Sequence, residues 1–252
     1  MHTKKAFFFD WDGTLSPDGE HISHQNVSAL RELQRNGHMI LLCTGRSLAV
    51  LPPSVTDCNF DGMILGCGAH IILQGQVINR RTMPAQSLHT IANWCDQRGQ
   101  WCLLEGEKAV LGVHDTRFTP LPDVVMLLPG GYYGQEPITK VTTGPIDHAL
   151  AEALQGHVHA ITHYGRYTEI VPFGCCKSDG LRRVLEALDM AQADSVAFGD
   201  SPNDHEMLAY AGYSVLMEGS PHEELRAVAD YIAPRADGAG VAVALKALGL
   251  IE

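Results

Sequence analysis

The segment FFFDWDGTLS, residues Phe7–Ser16, runs from an apolar stretch into two acids that a single tryptophan separates. A short, continuous apolar stretch is typical of a parallel strand that is covered on both faces. The acids Asp10 and Asp12 therefore fall at the carboxyl end of a predicted strand, just before Gly13. Because ligands of doubly wound sheets sit beyond the carboxyl ends of their strands, this segment predicts a functional site.

Apolar strands alternate with amphipathic helices on both sides of a long middle segment. Ser23 can cap a helix over about residues 24–36, and residues 38–44 then form a second predicted buried strand. Near the other end, an amphipathic helix precedes the apolar segment DSVAFGD, which again ends in an acid, Asp200. This alternation predicts an α/β fold with a doubly wound, Rossmann-like parallel sheet.

The middle segment breaks this rhythm. Between about residues 84 and 171, predicted strands and helices follow one another without strict strand–helix–strand alternation. Such a change is typical of an inserted α+β module. We expect residues 1–83 and 172–252 to form one core domain, and residues 84–171 to form a second domain inserted into it.

Composition and charge argue against several classes of protein. The formal net charge of -11 disfavours a nucleic-acid surface, which must neutralise many phosphates. No apolar segment reaches the length of a membrane span, and the N-terminal apolar run is too short for a signal peptide. The seven cysteines are scattered and form no CxxC pair, which is typical of reduced thiols. We expect a cytoplasmic monomer or small homo-oligomer with no nucleic-acid or membrane partner.

Polar residues end three of the predicted strands, namely Asp10 with Asp12, then Thr44, then Asp200. If these strands are neighbours, their carboxylates meet in one pocket, where each raises the pKa of the others. A divalent cation removes this repulsion, and hard oxygen ligands favour Mg²⁺. The plainer alternative is that each acid caps the helix that follows it. Three such strand ends make that alternative the weaker one.

Four motifs carry a family resemblance: FFFDWDGTL, TGR at residues 44–46, the isolated Lys177, and GDSPND at residues 199–204. In this order and spacing they resemble the motifs of the haloacid dehalogenase (HAD) superfamily. The insertion between the second and third motifs is similar to the large α/β cap of its Cof-type (type IIB-like) phosphatases. The first and fourth motifs are the specific part, because TGR or a lone lysine would indicate little. The resemblance implies a Mg²⁺-dependent phosphatase whose cap closes over the core.

The resemblance also implies a role for each matching residue. Asp10 would attack phosphorus and form an aspartyl-phosphate, while Asp12 would protonate the leaving oxygen and later take a proton from water. The groups implied to bind phosphoryl oxygens are Thr44, the backbone amide of Gly45, and Lys177. The groups implied to bind the metal are Asp10, the backbone carbonyl of Asp12, and Asp200, with Asn203 and Asp204 touching it through water or orienting Lys177.

Three further residues keep more than one interpretation. Arg46 either meets an anionic substrate or pairs with a core acid. Glu169, at the end of the last cap segment, either faces the substrate or is a surface carboxylate. Trp11 stands where the family usually has a smaller aliphatic residue, and strand alternation predicts that its ring packs beneath the site or toward the cap hinge.

The sequence favours hydrolysis of a small phosphorylated metabolite, such as a sugar phosphate. A phosphomutase of the phosphomannomutase kind would use the same two aspartates, but its cap needs several basic residues for a second phosphate. The insertion offers few, namely Arg98, Lys108, Arg117, Lys140 and Arg166. A non-catalytic metabolite-binding protein on the same fold is a further alternative, which the presence of all four motifs disfavours.

Overall fold

The computed structural model describes residues 4–113, 124–126, 136–163, 165–221 and 223–252. The strands in these residues are β1 (Ala6–Phe9), β2 (Met39–Cys43), β3 (Gly62–Leu65), β4 (His70–Leu73), β5 (Gln76–Arg80), β6 (Cys102–Glu105), β7 (Val110–Val113), β8 (Val124–Met126), β9 (Lys140–Thr143), β10 (Val158–His163), β11 (Tyr167–Pro172), β12 (Ser195–Gly199), β13 (Tyr213–Met217) and β14 (Tyr231–Ala233). The helices are α1 (His24–Arg35), α2 (Ala85–Arg98), α3 (His148–Leu154), α4 (Lys177–Ala187), α5 (His205–Tyr210), α6 (Glu223–Arg226) and α7 (Gly240–Ala247).

The larger sheet combines strands from both ends of the chain, in the order β14-β13-β12-β1-β2-β3-β4-β5. The strands from β14 to β3 run parallel, and β4 and β5 are antiparallel to their neighbours. The central strand β1 has β2 on one side and β12 on the other. The chain returns to β12 only after the long middle segment, so a topological switch point lies beside β1. Ligand sites of doubly wound sheets form at such a point.

Alternation along β1 divides its side chains between two buried layers. Phe7, Phe9 and Trp11 belong to an apolar cluster that includes residues of α1 and α7. Phe8 belongs to the cluster on the opposite face, with residues of α4 and α5. Because both faces are covered, the strand has the unbroken apolar sequence of a buried parallel strand. Asp10 continues the Phe8 series and therefore lies on the side of α4.

The smaller sheet is built only from the middle of the chain. Its order is β10-β11-β9-β6-β7-β8, and all neighbours are antiparallel except β7 and β8. One face packs on α2 and α3 through an apolar cluster that includes Leu104, Val141 and Ile170. The neighbouring positions in the same strands, Glu105, Lys140 and Glu169, belong to the opposite face. The predicted fold class, a doubly wound α/β core with an inserted α+β cap, is confirmed.

Local signals also act as expected. The helix after Ser23 begins at His24, and the Ser23 hydroxyl accepts a hydrogen bond from the amide of Asn26 at 3.1 Å. The hairpin between β4 and β5 turns at Gln74 and Gly75, both with positive φ. In the described part of the chain, no helix combines the length and apolar character that crossing a membrane requires.

Candidate active site

The polar strand ends lie at one edge of the larger sheet. In the pairing of β1 with β12, Phe9 lies opposite Phe198. Asp10 and Asp200 each follow shortly after these positions, and the amide of Asp10 donates to the carbonyl of Phe198 at 3.0 Å. Thr44 follows β2, on the other side of β1. The sheet topology therefore brings the ends of three distant segments to the switch point.

Lys177 connects the two ends of the chain inside this site. Its ammonium group donates to Asp10 Oδ1 at 2.6 Å and to Asp204 Oδ1 at 2.7 Å, and its side chain has no exposed surface. Burial alone would lower its pKa, but the two carboxylates outweigh that effect and raise the pKa of Lys177 well above its usual value. The lysine therefore stays charged beside Asp10.

Asp204 supports the site through both of its oxygens. Oδ1 accepts the Lys177 hydrogen bond, and Oδ2 accepts the backbone amides of Asp200 and Ser201, each at 3.0 Å. The residue is fully buried. Asp204 thus orients the lysine and fixes the chain at Asp200. The carboxylate of Asp200 itself accepts a hydrogen bond from the hydroxyl of Thr14 at 3.3 Å.

Gly13 allows the loop after β1 to pass close to Asp200. Its φ is +78°, in the left-handed region that favours glycine, and a side chain there would collide with the Asp200 carboxylate. Two constraints therefore require glycine at this position of the first motif, namely the backbone angle and the lack of room for a side chain. Any larger residue would displace either the loop or the acid.

Three acids around Lys177 form a group that fits a divalent cation. Carboxylate oxygens of Asp10, Asp200 and Asp204 lie within 4.8 Å of one another. Burial, and then the charge of Asp204, raise the pKa of Asp200 to about 7. Burial also raises the pKa of Asp10, against the opposing effect of Lys177. A hard cation with oxygen ligands would remove this penalty. Because both oxygens of Asp204 already accept N–H donors, Asp10 and Asp200 are the carboxylates open to it.

Asp12 lies apart from this buried group. Its carboxylate accepts two hydrogen bonds from Arg46, from Nε to Oδ2 at 2.9 Å and from Nη2 to Oδ1 at 2.8 Å. Of the two interpretations of Arg46, the structure shows pairing with an acid of the core. Trp11, between the two acids, is fully buried and packs beneath the site, as alternation predicted.

A buried ion cluster brings the cap against the core. Lys140 donates to Glu169 Oε1 at 2.7 Å and to the carbonyl of Gly45 at 2.8 Å. Glu169 Oε2 accepts a hydrogen bond from Asn203 at 3.1 Å and lies 2.8 Å from His163 Nε2. Burial would raise the pKa of Glu169, but Lys140 and His163 outweigh it and hold that pKa far below its usual range. Glu169 is therefore a buried, ionised residue and not a surface carboxylate.

Two more cap residues border this cluster. Glu105 lies 3.3 Å from the Lys140 ammonium and is also buried. The ring of Tyr167 stacks on His163, with centroids 4.5 Å apart. Burial raises the pKa of Tyr167, and the charges of Glu169, Asp12 and Asp10 add to that rise. Tyr167 therefore lies within electrostatic reach of both acids of the first motif.

The fold and site agree with one family. A family model described as haloacid dehalogenase-like hydrolase matches residues 7–245. The chain belongs to this family, and the resemblance carried by the motifs is confirmed. Its match extends across the cap as well as the core.

Proteins with similar sequences or structures match most of the chain. YkrA of Bacillus subtilis (strain 168), named as a phosphatase, is 27% identical over 258 residues, covering 98% of this chain and 99% of its own. The HMP-PP phosphatase of Escherichia coli (strain 55989 / EAEC) is 25% identical over 241 residues, covering 87% of this chain and 85% of its own. Among solved structures, the HAD subclass IIB sugar phosphatase BT4131 has a TM-score of 0.86 at 24% identity, over 98% of this chain and 100% of that chain.

Several contacts of the site have little signal in the sequence. The Lys140 cluster depends on how the cap lies on the core, which no local pattern encodes. The sequence feature that points to this cluster is a charged residue within a mainly apolar cap strand, as in CLLE and YTEIVP. Of the two residues expected to orient Lys177, Asp204 makes that contact, whereas Asn203 contacts Glu169 of the cap.

Cation binding should depend on pH because the cation competes with a proton on Asp200. The pKa of Asp200 rises from 3.8 to about 7 on folding, so the cation-free folded state binds a proton that the unfolded chain has lost. The stability of that folded state therefore falls as the pH rises from 3.8 to about 7. At higher pH the charged acids repel one another, and a cation relieves the repulsion. We expect Mg²⁺ or Mn²⁺ to raise Tm more at about pH 8 than at about pH 6, measured against EDTA-treated protein.

Two variants test this assignment. The first, Asp200→Asn, removes the titrating acid, and the second, Asp57→Asn, is the control because it changes an exposed acid far from the cluster in sequence. The first should abolish the pH-dependent part of the cation effect, and the second should keep it. An equal cation-induced shift at both pH values, or a shift that survives in Asp200→Asn, would contradict the assignment.

The stability of the protein should depend on the Lys140 ammonium in the buried cap cluster. Lys140→Met leaves Glu105 and Glu169 buried without the ammonium group they share, at an expected cost of about 3–5 kcal/mol in the free energy of unfolding. Arg98→Met breaks a half-exposed pair with Asp147 and a contact with the Trp94 ring, and should cost about 1 kcal/mol or less. Urea denaturation of both variants tests the difference, and equal costs would show that the cluster is not desolvated.

Proposed function

We propose that this protein is a Mg²⁺-dependent phosphatase that hydrolyses a small phosphorylated metabolite through an aspartyl-phosphate on Asp10. The observation that carries the proposal is the buried Lys177 ammonium, 2.6 Å from Asp10 Oδ1, at the edge of the sheet where Asp200 also lies. A carboxylate held beside a fixed cation can approach a phosphoryl group that would otherwise repel it.

The proposed reaction has two displacements at phosphorus. In the first, an oxygen of Asp10 bonds to phosphorus while the bond to the leaving oxygen breaks, and Asp12 donates a proton to that oxygen. In the second, water attacks phosphorus, the bond to Asp10 breaks, and Asp12 accepts the proton. Inorganic phosphate and the dephosphorylated product leave, and Asp10 is restored.

Residues around Asp10 are proposed to bind the phosphoryl oxygens. The hydroxyl oxygen of Thr44 accepts the amide of Arg46 at 3.1 Å, which leaves its O–H free to donate to an anion. Lys177 and the amide of Gly45 complete the proposed anion site. Mg²⁺ held by Asp10, the carbonyl of Asp12, and Asp200 would supply the positive charge that the developing phosphoryl charge requires.

Two basic residues of the cap are already paired with acids, which favours hydrolysis over phosphomutase chemistry. A mutase needs free cations in its cap for a second phosphate, but Lys140 is buried against two glutamates. Arg98 pairs with Asp147 and lies over the ring of Trp94. Arg117 lies outside the described residues. A sugar phosphate is the first class to test, because Tyr167 and the polar face of the cap sheet offer hydrogen-bonding groups to a hydroxylated leaving group.

The direct test is release of phosphate from a panel of phosphoesters in the presence of Mg²⁺. We expect turnover of small phosphomonoesters by the wild type and none by Asp10→Asn, because an amide cannot act as the nucleophile. Circular dichroism should show that the variant remains folded, and Asp57→Asn should keep full activity.

Two outcomes would overturn the proposal. Unchanged activity of Asp10→Asn would show that Asp10 is not the nucleophile. Failure of the wild type to release phosphate from any member of the panel would instead support a metabolite-binding protein on the same fold.

A further inference from the structure

Asp12 is fixed by contacts with residues that take no part in the two proposed displacements. Arg46 grips both oxygens of Asp12, and its third nitrogen, Nη1, donates to the carbonyl of Val50 at 3.0 Å. The guanidinium is thus fixed at one end by the backbone and at the other by the acid. A bidentate pair fixes the plane of a carboxylate as well as its position.

This ion pair is partly exposed but has a definite geometry. The Asp12 side chain is 49% exposed and that of Arg46 is 21% exposed, so solvent screens the attraction between the two charges. The two parallel hydrogen bonds and the anchoring at Val50 instead fix the direction of the Asp12 carboxylate. The geometry fits a requirement for orientation.

Gly19 lies against the ion pair of Arg46 and Asp12. Its φ is +80°, and a Cβ at this position would lie 2.6 Å from Arg46 Nη2 and 2.7 Å from Asp12 Oδ1. The ion pair therefore lies directly against the bare backbone of Gly19. A shift of this turn would move the pair.

Trp11 fixes that turn from below. Its indole N–H donates to the carbonyl of Gly19 at 2.8 Å, and its ring is fully buried in the apolar layer with Phe7 and Phe9. An aliphatic residue at this position could fill the layer but could not make this hydrogen bond. The tryptophan thus links the rigid core under β1 to the turn that borders Asp12.

We propose that Arg46 and Trp11 are positioning residues for Asp12: Arg46 orients its carboxylate directly, and Trp11 does so through the Gly19 turn. The inference rests on the proposed function, in which Asp12 donates a proton to the leaving oxygen. When Asp12 carries that proton, one oxygen keeps a hydrogen bond from Arg46 and the other is the donor. The leaving oxygen takes the proton as its bond to phosphorus breaks.

Leaving-group dependence separates positioning of an acid from a structural role. Protonation matters for an alkoxide leaving group and little for p-nitrophenolate, which departs as a stable anion. The test measures the rate of Asp10 phosphorylation, by rapid quench, with an alkyl phosphate that the wild type hydrolyses and with p-nitrophenyl phosphate. The variants are Arg46→Met, Arg46→Lys, Trp11→Phe and Asp12→Asn.

For Arg46→Met we expect a loss of about tenfold or more with the alkyl phosphate and a change below about threefold with p-nitrophenyl phosphate. Arg46→Lys should recover part of the loss, because lysine supplies charge without the planar fork. Trp11→Phe keeps an aromatic ring but removes the N–H, and should show a smaller loss with the same selectivity.

The controls remove equivalent groups elsewhere. Arg98→Met breaks another arginine–aspartate pair, and Trp94→Phe removes another indole N–H that donates to an aspartate, here Asp147. Both should leave the two rates unchanged. Equal losses on both substrates in the Arg46 and Trp11 variants, or no loss on either, would overturn the inference.

Asp12→Asn distinguishes failure of the inference from failure of the proposed function. If it slows only the alkyl phosphate while the Arg46 and Trp11 variants do not, Asp12 is the acid and the positioning role is wrong. If Asp12→Asn shows no selectivity, the acid role of Asp12 fails and the inference fails with it. Should Arg46→Met not fold, Arg46→Lys and Trp11→Phe carry the same comparison.

Discussion

Lys177 holds a positive charge where no solvent reaches, and the carboxylates of Asp10 and Asp204 lie 2.6 and 2.7 Å from it. A buried charge without a partner costs several kcal/mol, about 3–5 when a buried pair is broken, so the three groups must be present together. Asp10 comes before the inserted cap, and Lys177 and Asp204 come after it. The same contact therefore joins the two halves of the core and places a cation beside the proposed nucleophile.

Charge balance in this pocket explains why a second cation fits there. Three acids face one ammonium group, namely the buried Asp10 and Asp204 and the partly buried Asp200, and burial followed by the charge of Asp204 raises the pKa of Asp200. Asp12 does not add to this excess in the same way, because Arg46 neutralises it outside the buried group. The two acids of the first motif thus occupy different environments although one residue separates them. Asp10 has the Lys177 ammonium as its partner, and Asp12 has the Arg46 guanidinium.

The sequence was sufficient to predict the fold and the family. The apolar run before Asp10, the second strand and the strand before Asp200 identify a parallel sheet because each is buried on both faces. Strand ends in such a sheet share one edge, so a common site for Asp10, Thr44 and Asp200 follows from topology, whereas the place of Lys177 in that site was implied only by the family resemblance. The structure brings the Asp10, Lys177 and Asp204 side chains into contact.

Contacts that depend on side-chain direction were beyond the sequence. Alternation placed Trp11 beneath the site, but not its hydrogen bond to Gly19, which depends on the path of a turn eight residues away. Arg46 could have faced a substrate or an acid, and only the structure shows its two hydrogen bonds to Asp12 and a third to the carbonyl of Val50. The Lys140 and Glu169 cluster depends on the docking of two domains, and local propensity carries no information about that docking.

The central claim is that Asp10 becomes covalently phosphorylated beside Lys177, and trapping that intermediate tests it most directly. In the proposed mechanism Asp12→Asn slows the second displacement but changes the first little when p-nitrophenyl phosphate is the substrate. Brief incubation with that substrate and Mg²⁺, followed by acid quench, should therefore accumulate the phosphorylated chain. Mass spectrometry of the intact chain and its peptides should then find one phosphoryl group, on Asp10. A phosphoryl group on a different residue, or release of phosphate with no phosphorylated chain at any quench time, would contradict the account.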